Sequence, residues 1–367
     1  MGAVGFDGAL VNKYLASYFD QRTMYHPERI AAWQRGDYFP PVLAEISPTG
    51  RCNQKCRYCY AMTRTKQAHM DDDLLLRLPK ELELAGIKAI LYQGDGDPLM
   101  HNRLADAINT TNLPQTISTN GVLFTPEFQD KCIDRLNYVR FSVIDSDPQR
   151  YACQHGTNEK QHEMLIDNLK YAVAHRKHTM LMATVYLEPY NFDYVYDIVK
   201  YFKELGLDYL VIMEAIYYDQ SPIGKRDFTS AGYTQNQIQM MKHAVGSLND
   251  SDFVVRFHFP DSDMKTGVTC NTFYPGYCQG VYFEAVIAPN GDVIPCWRAW
   301  NKLELSFGNL HEHSFEEIWR GFKRVEVTDW VLNTPPEGEE CRICNQYKTN
   351  QVLEQYVNRT DWINFLL

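Results

Sequence analysis

The chain has 367 residues, of which 45% are hydrophobic and 22% charged, a composition typical of a folded globular protein. Its 46 acidic residues outnumber its 36 basic ones, and the net charge of -10 argues against nonspecific binding to nucleic acid or to an anionic membrane. The sequence shows neither a secretory signal nor an apolar run of membrane-spanning length, so we expect a cytoplasmic protein without a membrane or nucleic-acid partner.

The chain order of the predicted elements indicates an α/β protein. Residues 1–40 are predicted to form a helical extension. From 41 to 250, short apolar segments alternate with longer amphipathic ones, which predicts parallel β–α units and, from their number, a partial barrel. The predicted strands are 41–47, 87–92, 115–119, 138–144, 179–187 and 209–214. The predicted helices are 73–85, 99–110, 126–136, 159–175 and 192–205.

The pattern changes after residue 250, which predicts a second, smaller module from 251 to 350. Predicted strands at 281–287 and 292–294 flank a Pro-Asn-Gly-Asp turn, which is a hairpin signal, and a short helix follows at 314–324. Such a module has little core and needs a further source of stability, such as a bound metal. Residues 351–367 are predicted to form a tail helix.

Ten cysteines are too few for a disulfide scaffold, but they are clustered. Cys52, Cys56 and Cys59 follow the first predicted strand with the spacing C-x₃-C-x₂-C. Three thiolates cannot complete a tetrahedral zinc site alone, whereas they suit a [4Fe–4S] cluster with one open iron. Zinc with a distant fourth ligand and free thiols are the alternatives.

This spacing, with Tyr58 before the third cysteine, resembles the radical S-adenosylmethionine (SAM) superfamily. The resemblance covers residues 41 to 347 and implies a partial (β/α)₆ barrel with the cluster at its mouth. It implies that the open iron binds SAM and that one electron from the cluster then releases a 5′-deoxyadenosyl radical, which takes a hydrogen atom from the substrate. It also implies an electron donor such as a flavodoxin or ferredoxin.

Other segments resemble the family's SAM contacts. The turn Gln93-Gly94-Asp95-Gly96-Asp97-Pro98 resembles its glycine-rich turn, with Asp97 where the family more often has Glu. Glycines there would let the backbone approach a ligand. The resemblance implies these SAM-binding residues: Tyr58, Gly94, Asp95, Gly96, Asp97, Thr119, Asn120, Ser142 and Met213. Taken singly, such polar residues are more often ordinary turn chemistry.

Five cysteines lie beyond residue 260. Their order around the predicted hairpin resembles the auxiliary-cluster modules called SPASM and its shortened form, twitch. A full SPASM module holds two clusters and needs more than five cysteines, so we expect a twitch-type module with one second [4Fe–4S] cluster. The expected ligands are Cys278, Cys296, Cys341 and Cys344. A structural zinc site with four cysteines is the alternative.

The remaining cysteines bear on the reaction. Cys132 is expected to be core, whereas Cys153 and Cys270 could donate a hydrogen atom to a substrate radical. An epimerase would need such a donor, and a dehydrogenase would need an acid or base, for which Glu188, His155 and His258 are the candidates by position.

We expect a small sugar or nucleotide-sugar substrate, because residues 1–40 are too few for the winged-helix element of many peptide maturases. Arg256, His258 and Arg298 are the candidate substrate contacts. A peptide-modifying enzyme is the alternative.

Overall fold

The computed structural model describes residues 22–59, 61, 68–214, 233–258, 278–299, 302–333, 349–350 and 353. These residues group into two compact units. The first contains the described residues of 46–79 and 90–258. The second contains those of 22–45, 80–89 and 278–353.

The first unit is built on a parallel sheet in which β2 to β7 follow one another in chain order, and β1 ends where this unit begins, at Ile46. The strands are β1 (Leu43–Ile46), β2 (Ala89–Tyr92), β3 (Gln115–Thr119), β4 (Tyr138–Ser142), β5 (Met180–Leu187), β6 (Tyr209–Glu214) and β7 (Val254–His258). Among the described strands none pairs β7 back to β1, so the sheet stays open. The predicted partial barrel of parallel β–α units is confirmed.

Helices connect these strands and cover one face of the sheet. They are α2 (Asp72–Ala85), α3 (Leu104–Ile108), α4 (Pro126–Cys132), α5 (Pro148–His155), α6 (Glu159–His175), α7 (Val195–Leu205) and α8 (Gln235–Gly246). The Thr125 side chain accepts from the Phe128 amide at the start of α4, and Gly206 ends α7 in the left-handed conformation. Both were predicted from the sequence.

Two elements of the first unit differ from the sequence-based expectation. Helix α5 was not predicted, because its eight residues are mostly polar and carry little periodic signal. Strand β7 was not predicted, and its residues were assigned to the C-terminal module, but Val254 pairs with Tyr209 and extends the parallel sheet. In addition, the helix predicted at 99–110 is a 3₁₀ turn, Pro98–Met100, followed by the short α3.

Strand register defines the inner face of the sheet, which is the face opposite the helices. Phe141 packs towards Gly121 and Phe124 on the helix side, so Arg140 and Ser142 point the other way. The Arg140 guanidinium donates to the Ser118 hydroxyl across β3 and β4, which is consistent with that assignment.

The second unit contains an antiparallel hairpin with helices around it. Strands β8 (Glu284–Ile287), β9 (Asp292–Ile294) and β10 (Gly308–Asn309) pair in that order. The helix predicted at 314–324 is two helices, α9 (Phe315–Arg320) and α10 (Phe322–Asn333), which Gly321 separates.

The N-terminal helix α1 (Pro27–Arg35) also lies in the second unit, whereas the sequence suggested a separate extension. Its buried residues join one apolar cluster with the start of β1 and the residue before β8: Ile30, Ala32, Phe39, Val42, Phe283 and Leu353. The expected tail helix at 351–367 falls outside the described residues, Leu353 excepted. In the described part of the chain, every helix is too short or too polar to span a bilayer.

Candidate functional site

The loop after β1 carries three cysteines that form no disulfide with a described residue: Cys52, Cys56 and Cys59. Burial and the nearby thiols of Cys52 and Cys59 raise the pKa of Cys56. No group of three or more His, Cys, Asp or Glu side chains among the described residues converges on a single-ion site. Three thiolates of a [4Fe–4S] cluster bind different irons and need not converge on one point, so this donor set fits such a cluster.

Helix α5 holds this loop in place. The Lys55 amide donates to the His155 carbonyl at 2.9 Å, and the Arg57 amide donates to the Gln154 carbonyl at 3.0 Å. Gly156 follows in the left-handed conformation, with φ of +56°, and a Cβ there would lie 2.3 Å from the Lys55 carbonyl oxygen. The close approach of loop and helix therefore requires glycine at this position. The sequence reasoning missed α5, although Asp147-Pro148 is a helix-start signal.

The glycines of the turn after β2 allow it to pack against the cysteine loop. A Cβ at Gly94 would lie 2.2 Å from the Ser47 hydroxyl oxygen, and one at Gly96 would lie 2.0 Å from the Arg51 carbonyl oxygen. The Asp97 amide also donates to that carbonyl, at 2.9 Å. The sequence attributed these glycines to the approach of a ligand. The structure gives them a second reason, which is contact between two loops.

The carboxylate of Asp97 is buried and bonded by the chain itself. It accepts from the Thr119 hydroxyl at 2.8 Å, from the Asn120 amide at 2.7 Å and from the Leu99 amide at 3.0 Å. Burial raises the pKa of Asp97, against the lowering effect of these hydrogen bonds. The side chain thus ties the turn after β2 to the turn after β3.

The turn after β3 reaches the cysteine loop through Asn120. Its side-chain amide donates to the Asn53 side-chain oxygen at 2.7 Å and lies 4.0 Å from the Cys52 sulfur. The three motifs that the sequence separated are therefore brought together at the carboxyl ends of β1, β2 and β3.

The inner face carries the other predicted contacts. Register pairs Ser142 with Thr184 and places Arg256 in the same row, and Met213 lies in the next row. The hydroxyl of Thr184 is buried and has no hydrogen-bond partner among the described residues, so it can contact a ligand. The sequence reasoning missed Thr184, which a strand-face alternation on β5 could have indicated. His258 shares the register of Met213, and its side chain lies outside the described set.

The turn that follows Ser142 is strained. Ile144 has φ of +50°, the one positive φ found outside glycine in the described chain. The next residue, Asp145, is buried and forms a two-point ion pair with Arg150 of α5, at 2.7 and 2.9 Å. This pair fixes a backbone conformation that a β-branched residue does not adopt by itself.

A buried histidine lies against the second cysteine. The Nδ1 atom of His155 is 2.7 Å from the Gln54 side-chain oxygen and 3.4 Å from the Cys56 sulfur. Its ring stacks on Tyr151, whose hydroxyl accepts from the Gln54 side-chain amide at 2.8 Å. Burial lowers the pKa of His155 to about 3, so its imidazole is neutral. Tyr58 packs its ring edge towards the same imidazole.

The catalytic candidates from the sequence lie at two places in the first unit. Cys153 is an exposed thiol on α5, and the Arg57 guanidinium of the cysteine loop is 3.7 Å from its sulfur. Glu188 is buried after β5, where its amide donates to the Asn191 side chain at 2.8 Å. The third candidate, Cys270, lies outside the described residues.

In the second unit the described cysteines are Cys278 and Cys296, which are both half-buried and form no disulfide with a described residue. The Asn350 side-chain amide donates to the Cys278 sulfur at 3.6 Å, and its oxygen accepts from the Gly280 amide. The other two predicted cluster ligands, Cys341 and Cys344, lie outside the described residues, as does the side chain of Arg298, a predicted substrate contact.

Two family models match the chain. The radical SAM superfamily matches residues 46–215, and an iron–sulfur cluster-binding domain, called SPASM, matches residues 278–345. The first range contains the three clustered cysteines and the strands β2 to β6. The second contains all four cysteines predicted for an auxiliary site.

Among known proteins, the GTP 3′,8-cyclase of Clostridium perfringens is 27% identical over 186 residues, which cover 46% of this chain and 54% of that protein. This chain therefore spans about half the length of that relative. The PqqA peptide cyclase of Xanthomonas oryzae is 24% identical over 320 residues, which cover 80% of this chain and 78% of that protein.

Among solved structures, Streptococcus suis SuiB bound to S-adenosylmethionine has a TM-score of 0.64 at 14% identity, over 87% of this chain and 74% of that chain. SuiB has also been solved bound to its precursor peptide SuiA, with a TM-score of 0.62 at 14% identity, over 89% of this chain and 74% of that chain. The enzyme anSMEcpe with bound AdoMet has a TM-score of 0.53 at 18% identity, over 84% of both chains. These similarities establish the fold.

Proposed function

Because the chain belongs to the radical SAM superfamily and carries a SPASM iron–sulfur domain, we propose that it modifies a peptide substrate. The observation that carries this proposal is the match to the PqqA peptide cyclase, which runs through both domains over 80% of the chain. The match to the GTP cyclase covers only 46%. The sugar-like substrate expected from the sequence lacks comparable support, and the comparisons favour its peptide alternative.

The first-unit residues have distinct roles in this proposal. Cys52, Cys56 and Cys59 hold the cluster that binds SAM. When bound, the cluster and SAM supply a 5′-deoxyadenosyl radical that can take a hydrogen atom from the substrate. The carboxylate of Asp97 is already bonded by chain donors, so we assign contact with the amino group of SAM to backbone carbonyls of its turn.

The remaining predicted SAM contacts surround the same edge of the sheet. Thr119 positions the turn after β3 through Asp97, and Asn120 extends that turn to the cysteine loop. Ser142 and Thr184 present neighbouring hydroxyls on the inner face, and Met213 offers an apolar surface one row further out. We propose that this row binds the polar and adenine parts of SAM.

The substrate side of the site is proposed on β7. Arg256 is exposed and lies in the row of Ser142, so its guanidinium can bind a carboxylate or a carbonyl of a peptide. The reaction proposed is formation of a bond within the peptide, since two relatives are cyclases by name. Two hydrogen atoms would leave the peptide: the 5′-deoxyadenosyl radical would take one, and the other would leave as a proton whose electron an iron–sulfur cluster of the SPASM domain would accept. Cys153, Cys270 and Glu188 remain candidates for hydrogen-atom or proton transfer in the epimerase and dehydrogenase readings.

The experiment is anaerobic co-expression of the chain with each short peptide encoded beside its gene, followed by mass spectrometry of the recovered peptides. A new internal bond gives a peptide that has lost two hydrogen atoms and no longer yields fragment ions between the joined residues. A dehydrogenase gives the same mass loss with all fragments retained. An epimerase leaves the mass of the peptide unchanged in ordinary water, and in heavy water its product carries deuterium.

The matched control is Cys56→Ala, which should leave every peptide unmodified. Purified protein should also form 5′-deoxyadenosine from SAM with a chemical reductant. If no peptide changes, while a nucleotide-sugar accelerates 5′-deoxyadenosine formation and is itself converted, the peptide proposal fails and the sugar reading takes its place.

A further inference from the structure

His155 has one nitrogen in contact with a cysteine of the cluster loop and one nitrogen that no described residue contacts through a hydrogen bond. Nδ1 lies 3.4 Å from the Cys56 sulfur and 2.7 Å from the Gln54 side-chain oxygen. Nε2 is buried and has no hydrogen-bond partner among the described residues. The ring is completely buried, stacks on Tyr151 and lies in a T-shaped arrangement with Tyr58.

These contacts decide which nitrogen carries the proton. The Gln54 side-chain amide donates to the Tyr151 hydroxyl and to the Gln161 side-chain oxygen, so the Gln54 oxygen is the atom that faces His155. A proton on Nδ1 has two acceptors within reach, whereas a proton on Nε2 would be a buried donor without an acceptor. We therefore assign a proton to Nδ1.

The proton on Nδ1 can be donated to the Gln54 oxygen or to the Cys56 sulfur, and it forms the stronger hydrogen bond with the better acceptor. A thiolate that binds iron carries negative charge, and hydrogen bonds to charged acceptors are the stronger ones. Hydrogen bonds to cluster sulfurs stabilise the more negative, reduced state and raise the reduction potential.

From this geometry we propose that His155 is a positioning residue that donates an N–H···S hydrogen bond to Cys56 and raises the reduction potential of the SAM-binding cluster. The proposal rests on the assignment of Cys56 as a cluster ligand, which belongs to the proposed function. Gln54 and Tyr151 orient the ring, and the backbone bonds between the cysteine loop and α5 fix its distance from the sulfur.

The test is a redox titration of the anaerobically reconstituted holoprotein, followed by electron paramagnetic resonance. The SAM-binding cluster is identified as the signal that changes when SAM is added. His155→Leu removes the donor and should lower the midpoint potential of that signal. His155→Asn places an amide N–H near the position of Nδ1 and should keep the potential close to wild type.

His162→Leu is the matched control, because His162 is also buried and packs against Tyr151, without a contact to Cys56. It should leave the midpoint potential unchanged. An unchanged potential in His155→Leu, or an equal shift in His162→Leu, would overturn the proposal. Full iron content and normal SAM cleavage in Cys56→Ala would instead refute the assignment of Cys56 as a cluster ligand. Failure of the hydrogen-bond proposal is therefore distinguishable from failure of the proposed function.

A second measurement covers the case in which His155→Leu loses its cluster. Wild-type protein labelled with ¹⁵N only in histidine should show a weak ¹⁵N coupling to the reduced cluster in electron spin-echo modulation. The coupling should disappear in His155→Asn. Absence of a histidine coupling in the wild type contradicts the hydrogen bond directly.

Discussion

At the scale of single residues, Gly156 is where helix α5 and the cysteine loop come closest. Gly156→Ala should destabilise the holoprotein by about 2–5 kcal/mol, from the left-handed backbone and from the clash of a Cβ with the Lys55 carbonyl. It should also lower the iron retained per chain, because the clash displaces the loop that carries the cysteines. Urea unfolding and iron analysis measure the two effects.

Gly36 provides the matched control. It ends α1 in the same left-handed conformation, with φ of +71°, but a Cβ there would meet no atom within 4 Å. Gly36→Ala should therefore cost only the backbone penalty, about 1–2 kcal/mol. Equal losses of stability and iron in the two variants would show that the close contact with Lys55 does not matter.

Asp97 is the second residue whose role depends on a tertiary contact. Asp97→Asn places an amide group against donors of the chain, so at least one buried N–H loses its acceptor. We expect a loss of about 1–3 kcal/mol and weaker SAM binding, measured by urea unfolding and by titration with SAM. Thr119→Ser, which keeps the hydroxyl that donates to Asp97 and accepts from the Gly121 amide, should cost less.

The raised pKa of Asp97 gives this prediction a pH dependence. A carboxyl group with a higher pKa in the folded state binds its proton more tightly there than in the unfolded state. Its contribution to the free energy of unfolding is therefore present below its unfolded pKa and is lost as the pH rises through its folded pKa. Asn does not titrate. The difference in unfolding free energy between wild type and Asp97→Asn should thus shrink as the pH rises over that range. A difference that grows with pH would contradict the raised pKa of Asp97.

At the scale of elements, strand β7 brings Arg256 to the inner face beside the proposed SAM site. Arg256→Ala should raise the KM for a modified peptide on the order of tenfold, the loss expected for one charged hydrogen bond, and leave peptide-free SAM cleavage unchanged. Arg35→Ala, an exposed arginine of α1 paired with Asp37, is the control. A drop in peptide-free SAM cleavage would assign Arg256 to cofactor binding instead.

The elements differ in how well the sequence predicted them, and the reason is locality. Six strands were predicted because apolar, β-branched runs carry their signal within a few residues, and the cysteine spacing is equally local. The positions of helix α5 and strand β7 are determined by tertiary contacts. The pairing of Gln54 with His155, 101 positions apart, and the contact of Gly94 with Ser47 depend on the fold itself. Spacing along the chain could not indicate them.

At the scale of the whole molecule, the cysteines should divide between two iron–sulfur sites. On the proposed assignment of three cysteines to one cluster and four to a second, anaerobic reconstitution should give about eight irons per chain. Cys296→Ala should reduce this to about four irons and leave SAM cleavage in place, since the first cluster is separate. Modification of the peptide should be impaired.

Cys132→Ala is the control for this count, because Cys132 is buried in α4 and its thiol donates to the Phe128 carbonyl. It should retain all the iron. The SPASM match makes iron the expected metal of the second site, yet four thiolates also bind zinc, and a zinc site would brace a module with little core equally well. A wild-type protein with about four irons and one zinc would therefore contradict the second cluster. In that case Cys52→Ala should lose the iron, Cys296→Ala should lose the zinc, and the second site would be a structural zinc site. It would also remove the electron acceptor on which a dehydrogenase reading depends.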